Sequence, residues 1–329
     1  MDRLALPVGG AGRVVLQSRV DEDSSASCNA GMTNAGVEPA LEPRSLGLAP
    51  SLALYAGVLV GTTLLGARGL EAGLPAGAVA GLGFFALCVL FLALERWRPG
   101  QRSWLRDWSD LRVDLPLILL AAPAGAFVQL ADSLARRLDF GLWPAHWPPL
   151  AQAALALLLG DFFRYWFHRA EHSWLPLWRI HATHHSAERL YCMNGPRLHP
   201  FEVALSGVVQ TVPLALLGAS ELALALQVLL TLAIGRFQHC NIALTLGPLD
   251  YLLSTPGPHR WHHARDLETA RCNYGGDVLV WDHLFGTFHL PRDRAPSAEI
   301  GIPGGESFPR TLWGVLVSPF AWPGFRTTR

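Results

Sequence analysis

His168-Arg-Ala-Glu-His172, His181-Ala-Thr-His184-His185 and His259-Arg-Trp-His262-His263 decide the reading of this chain. With a lone His239 in Gln238-His-Cys-Asn241, they gather nine of its 13 histidines into four short clusters, at or just beyond the ends of long apolar runs. Neutral imidazole is a favoured ligand for iron, copper, zinc and nickel. On a helix, residues three and four apart share a face, while sequence neighbours diverge by about 100°. His168 and His172 therefore point the same way, and His181 can pair with either His184 or His185. The adjacent histidines of an H-x-x-H-H run chelate one ion poorly, so two such runs predict two ions side by side, each shared between clusters. A closed structural zinc site needs only four ligands.

The candidate metal ligands are thus His168, His172, His181, His184, His185, His239, His259, His262 and His263. One H-x-x-x-H arises readily by chance, and a single His239 reads as a core histidine. Two H-x-x-H-H runs in one chain are much harder to dismiss. His146, His283 and His289 are assigned to structure. Two alternatives compete. His168-x-x-Glu171-His172 also fits the inverted zinc-protease signature, with glutamate as general base, but it leaves the other seven clustered histidines unexplained. A histidine-rich metal transporter would place its ligands near the bilayer midplane, whereas these histidines gather at the ends of the apolar runs.

Further residues carry a resemblance. Between 161 and 288 the order of clusters, Arg197-Leu-His-Pro-Phe-Glu202, Phe237-Gln-His-Cys-Asn241, Asn273-Tyr-Gly-Gly276 and Trp281-Asp-His-Leu-Phe-Gly-Thr-Phe288 resemble the fatty acid hydroxylase and sterol desaturase superfamily of membrane-bound, histidine-rich oxygenases. The resemblance implies two iron ions and an oxidoreductase that uses O2 to hydroxylate or desaturate a C–H bond of a lipid, sterol, fatty acyl or related. It covers the amino-terminal 150 residues or so only as generic membrane helices. Some members have a further H-x-x-x-H where this chain has His239 alone, with Gly235 and Ala243 four positions away. A tenth ligand is open between His199, Asn241 and water.

Half of the residues are hydrophobic, 16% are charged and the formal net charge is +0, which offers nucleic acid no basic surface. All basic residues are arginine. The five cysteines lack C-x-x-C spacing, so no disulfide framework or sulfur-ligated site is indicated. A crossing helix takes about 20 predominantly apolar residues. Candidates are 46–67, 76–94, 115–131 and 150–167, and the run 203–234 reads as a helical hairpin around Gly218-Ala-Ser220. Arg96, Arg98, Arg102, Arg106 and Arg112 mark the loop between the second and third spans as cytoplasmic. Counting crossings brings every proposed ligand to that side, with Arg136 and Arg137 on the opposite one.

The expected fold is an all-α, integral membrane helical bundle with a cytoplasmic helical cap carrying the histidine-rich dimetal site. Residues 1–45 read as a disordered tail without a signal peptide, and Met32 is an internal candidate start. Membrane helices follow over 46–148, a catalytic domain over 149–290 and a carboxy-terminal tail over 291–329. Asp161, Glu171, Glu202, Asp277 and Asp282 are available to orient ligand imidazoles. Tyr165, Trp166, Tyr191 and Trp261 flank the clusters, as channel walls or interfacial anchors. No glycine-rich dinucleotide fingerprint stands between a strand and a helix, and no haem or iron–sulfur motif is seen. The implied partners are the membrane, a lipid substrate and a separate electron donor: a reductase, ferredoxin or cytochrome. The cell inner membrane is the expected location.

Overall fold

The computed structural model describes residues 45–105 and 108–326; the expected amino-terminal tail and Arg106 lie outside them. The described chain is helical, with three isolated β-bridges and no strand. Its helices are α1 (Leu48–Glu71), α2 (Ala76–Trp97), α3 (Leu111–Ala135), α4 (Pro149–Ser173), α5 (Leu175–His185), α6 (Pro200–Leu217), α7 (Glu221–His239), α8 (Pro256–His262), α9 (Leu267–Ala270), α10 (Val280–Phe285) and α11 (Leu312–Ala321). Five are long and apolar enough to cross a bilayer: α1, α2, α3 with the turn extending it to Leu138, α6 and α7. This is an integral membrane protein.

The expected span at 150–167 is not among those five. It lies inside α4, where Gln152, Asp161 and Arg164 interrupt the apolar run. The cause is position. α4 packs chiefly on α6 and α7, and a helix covered by protein needs no apolar surface all round. α7 is the central helix: 61% of its most apolar window is buried, against 17–22% in the other four spans. Tyr55 of α1 and Phe91 of α2 close on Phe237 of α7, with ring centroids 4.4 and 4.8 Å away.

The hairpin expected around Gly218 is present. Gly218 adopts φ 92°, the left-handed conformation that ends a helix without a Cβ clash. Ser220 Oγ then accepts from Ala223 N at 3.2 Å and starts α7. This turn lies at one end of the bundle, where Phe140 N donates to Leu216 O. At the other end, Leu46 N donates to Ala243 O and Gly100 N to Asn241 O, each across about the width of one hydrogen bond, 3.0 and 2.8 Å. The arginine-rich loop and the carboxyl end of α7 therefore share that end.

Two buried acids from the membrane helices fasten the segments there. Glu95 Oε1 of α2 accepts from Cys192 N at 2.7 Å and Asn241 N at 2.9 Å. Asp114 of α3, fully buried, accepts from Arg197 and from Tyr191 Oη, both at 2.6 Å. On another side, Val315 of α11 and Trp322 pack with Leu117 of α3 and Trp178 of α5.

Candidate metal centre

The structure divides the nine histidines into two buried groups. His168, His172, His181, His185 and His262 form one, and His184, His239, His259 and His263 the other; within each, one nitrogen per ring lies within 4.8 Å of the rest. Sequence neighbours part company at both H-x-x-H-H runs, as the turn angle of a helix requires. The carboxyl end of α4 supplies His168 and His172, α5 supplies His181, His184 and His185, α7 ends in His239, and α8 carries His259 and His262 with His263 as its cap.

Backbone carbonyls fix several tautomers. His168 Nδ1 lies 2.8 Å from Tyr274 O, His262 Nδ1 2.8 Å from Cys272 O, and His239 Nδ1 3.0 Å from Gly235 O. A carbonyl only accepts, so each Nδ1 carries the proton and each Nε2 presents a lone pair. His181 Nδ1 donates likewise to Glu202 Oε1 at 2.8 Å, with Glu171 3.7 Å away. Two Nε2 lone pairs, on His168 and His181, thus face each other at 3.1 Å. Neither can donate to the other. With Glu202 ionised, a metal cation shared by the two nitrogens resolves the contact.

The spacing fits a metal. The Nε2 pairs His181–His185, His184–His239 and His259–His263 lie at 3.1 Å, and His239–His259 at 2.9 Å. Metal–imidazole bonds of about 2.1 Å at right angles put adjacent nitrogens roughly 3.0 Å apart, against about 3.4 Å in a tetrahedron. The edges suit a coordination number above four. His172 Nε2 and His262 Nε2 are buried without a hydrogen-bond partner, which is costly unless a ligand takes them. Burial and neighbouring imidazoles hold His181, His184, His185, His259 and His263 well below the usual histidine range, and burial brings His262 to about 4. These rings are neutral, the form that binds metal.

The carbonyls come from a loop that is itself clamped. Asp282 accepts from Tyr274 N and Gly275 N, and Asp161 from Gly276 N and Asp277 N, all at 2.8 Å. Asn273, at φ 53°, donates from Nδ2 to Pro258 O and His289 O and accepts from His289 N. A Cβ on Gly275 would overlap the Val278 carbonyl. Of the five acids singled out in the sequence, Glu202 contacts a site imidazole directly and Glu171 lies just beyond. Asp161 and Asp282 hold the loop, and Asp277 Oδ2 accepts from Thr231 at 2.7 Å.

Neither residue proposed for a tenth ligand joins the groups. His199 caps α6, accepting from Phe201 N, with its Nε2 3.2 Å from Leu316 O. Asn241 is paired with the backbone of Gln101. His146, His283 and His289 also stand apart. Tyr165 and Tyr191 are buried and hydrogen-bonded, to Thr287 and Asp114. Trp166 is exposed, and Trp261 lies edge-on to His289. Trp178, which sequence reasoning passed over, lies against His172 and His185 at 5.4 and 5.6 Å between centroids. Glu95 and Asp114 were missed too, although an acid inside an apolar span is itself a signal. The four described cysteines are buried and form no disulfide with one another.

A family model described as fatty acid hydroxylase matches residues 153–287. Ornithine lipid hydroxylase OlsE of Rhizobium tropici is 34% identical over 252 residues, 73% of this chain and 75% of that protein. Human alkylglycerol monooxygenase is 36% identical over 140 residues, 42% of this chain and 31% of that protein. Very-long-chain aldehyde decarbonylase GL1-11 of Oryza sativa subsp. japonica is 30% identical over 178 residues, 53% of this chain and 64% of that protein. No solved structure matches. Neither the zinc-protease nor the transporter reading is favoured by these relatives. The order of the histidine clusters, their convergence at one end of a membrane bundle and the extended likeness to OlsE make one conclusion: the chain belongs to the fatty acid hydroxylase and sterol desaturase superfamily and is an integral membrane oxidoreductase.

Proposed function

We propose that this protein is a di-iron oxygenase that hydroxylates a C–H bond of a polar membrane lipid. The observation that carries this reading is the pair of converging lone pairs on His168 and His181, with seven further imidazoles completing two groups. One iron is assigned to His168, His172, His181, His185 and His262, and the other to His184, His239, His259 and His263. When bound, the two ions supply O2 binding and the electron transfers that oxidation of an unactivated C–H bond requires.

The residues of the chain do the rest. Glu202 and the carbonyls of Tyr274, Cys272 and Gly235 hold four rings in the donor tautomer, as partners of metal-bound histidine generally do. Trp178 covers His172 and His185 on one side and excludes water there. The overall reaction converts one C–H bond, O2, two electrons and two protons into C–OH and water. The electrons come from a separate reductase, ferredoxin or cytochrome, since the chain has no fingerprint for such a cofactor of its own. Hydroxylation is favoured over desaturation because the bacterial and human relatives are named for oxygen insertion. The arginine-rich loop supports a cytoplasmic orientation of the metal end and its cap, in the cell inner membrane.

The test is iron content and 18O2 incorporation on detergent-purified protein supplied with reductant and extracted membrane lipid. About two irons per chain and an 18O-labelled lipid alcohol sustain the proposal. A single zinc per chain and no label overturn it.

A further inference from the structure

We infer that α11 lies in the membrane interface with its outer face against the lipid bilayer. The helix reads Leu312-Trp-Gly-Val-Leu-Val-Ser-Pro-Phe-Ala321 and holds no charged residue. Its 10 residues, at about 1.5 Å each, make about 15 Å, half the thickness of a bilayer core, so it is too short to cross. One face is used by the fold. Val315 and Ser318 are buried, and Val315 belongs to the cluster that holds Leu117 of α3 and Trp178 of α5. The other face carries Trp313 and Phe320, which share a stripe at i and i+7 and are 74% and 76% exposed. A helix that is apolar all round belongs in protein or in lipid, and among the described residues this stripe is left uncovered.

The neighbours of α11 set its depth. His199, the cap of α6, donates from Nε2 to Leu316 O at 3.2 Å, so α11 lies level with the start of that span. Leu117 lies about 9 Å into α3, counted from Leu111. Both α3 and α6 are long and apolar enough to cross a membrane, and in these first turns they expose Leu115, Leu119, Phe201 and Leu205. The uncovered stripe of α11 thus adjoins a surface that already faces lipid. Its place within the first turns of two spans is the depth, about 5 to 10 Å below the headgroup boundary, at which interfacial helices lie.

The backbone of α11 suits that setting. Pro319 has no N–H to give Val315 O, and Ser318 Oγ donates to that carbonyl instead, at 2.8 Å. Carbonyls in the last turn of a helix have no partner within it. Here Trp322 N donates to Ser318 O at 3.1 Å and Arg179 Nη1 to Pro319 O at 3.3 Å, which spares them the water that lipid does not offer. Between α5 and α11, a cleft of about 320 Å³ is lined by Leu175, Pro176, Arg179, Ile180, Pro319 and Phe320. Trp178, in the same cluster as Val315, lies against His172 and His185. Lipid contact at α11 therefore fixes the depth of the histidines on α5, beside the polar ends of the lipids and away from their acyl ends.

The experiment places a nitroxide spin label on Trp313→Cys or Phe320→Cys in the full-length protein, reconstituted in vesicles of phosphatidylcholine and phosphatidylglycerol. Cys28→Ser is the background, because the other four cysteines are buried. Leu119→Cys on α3 and Ala298→Cys in an exposed loop are the lipid and water references. Collision of each label with O2, which concentrates in lipid, is compared with collision with a water-soluble nickel chelate. At 313 and 320 the ratio of the two is expected to exceed that at 298 roughly fivefold or more and to approach that at 119. A ratio equal to that at 298 puts the stripe in water and overturns the inference. Low collision with both reagents overturns it as well, since protein then covers the stripe, a second copy if the spectra show spin–spin broadening. Wild type gives an independent reading in vesicles that contain a diazirine-bearing phosphatidylcholine. Photolysis should attach lipid within Leu312–Ala321; labelling of α3 with none on α11 would contradict the placement.

Discussion

The two histidine groups are built to different standards of rigidity. In the five-membered group, the outer nitrogens of His168, His181 and His262 are pinned by Tyr274 O, Glu202 and Cys272 O. In the four-membered group, His239 is pinned by Gly235 O, while His184 Nδ1 and His259 Nδ1 are buried without a partner. The first group is organised by the fold, and the second depends more on its metal for orientation. On the proposed two-metal reading, unequal affinity of the two groups follows, because a pinned ring loses less freedom on binding and is the stronger donor.

The largest effects separate the groups outright. If both groups hold an ion as proposed, and the two act together on O2, His181→Ala and His184→Ala are each expected to lower turnover at least about a thousandfold. Iron should fall from about two to about one per chain in each variant, with the remaining ion in the opposite group. Iron analysis together with Mössbauer spectra of the two variants checks this. Loss of both ions from either variant would show that the groups load as one unit.

Next in size is Gly275→Ala. The added Cβ meets the Val278 carbonyl and the Asp282 carboxylate, so the loop carrying the Tyr274 and Cys272 carbonyls must shift. Iron affinity of the five-membered group is expected to drop about 10 to 100-fold, the usual cost of disturbing the partners of metal-bound histidine. The four-membered group should barely respond. Glu202→Gln keeps an acceptor opposite His181 but removes its charge, and a fall near the lower end of that range, about tenfold, is expected. Titration with Co(II), followed by its absorption spectrum, resolves the two groups in both variants. Graded chelation of wild type should release the four-membered group's ion first; release in the reverse order would contradict the comparison.

The sequence made the site far more legible than its supports. Histidine spacing reports directly on which rings share a face, so the partition of His184 from His185 and of His262 from His263 could be read without coordinates. The partners of those rings are largely backbone carbonyls, whose positions depend on the path of the 272–276 loop and leave no trace in residue type. The apolar helices were legible because lipid demands long apolar runs. The stretch 150–167, expected as a crossing helix, lies in α4 and is less apolar than the five other long helices because α6 and α7 pack on it, and contact with protein tolerates Asp161 and Arg164 where lipid would not. His199 and Asn241 looked like spare ligands because sequence gives proximity along the chain, while their hydrogen bonds commit them to capping α6 and to Gln101.

The smallest expected effect concerns a residue remote from both groups and outside the segment matched to the family. Glu95 uses one oxygen, Oε1, to accept from Cys192 N and Asn241 N, and so ties α2 to the segments that follow the α5 histidines and His239. If its role is to satisfy those two donors, Glu95→Gln retains the same acceptor atom and should change thermal stability little. Glu95→Ala strands both buried N–H groups, at about 1 to 3 kcal/mol each, and a fall in Tm of several degrees is expected at about 2 to 4 °C per kcal/mol. Because Asn241 lies two residues beyond His239, the loss should reach the four-membered group more than the five-membered one. Scanning calorimetry of the iron-loaded and iron-free proteins measures both parts. A Gln variant as damaged as the Ala variant would mean that the charge of Glu95, and not its two hydrogen bonds, is what the fold uses.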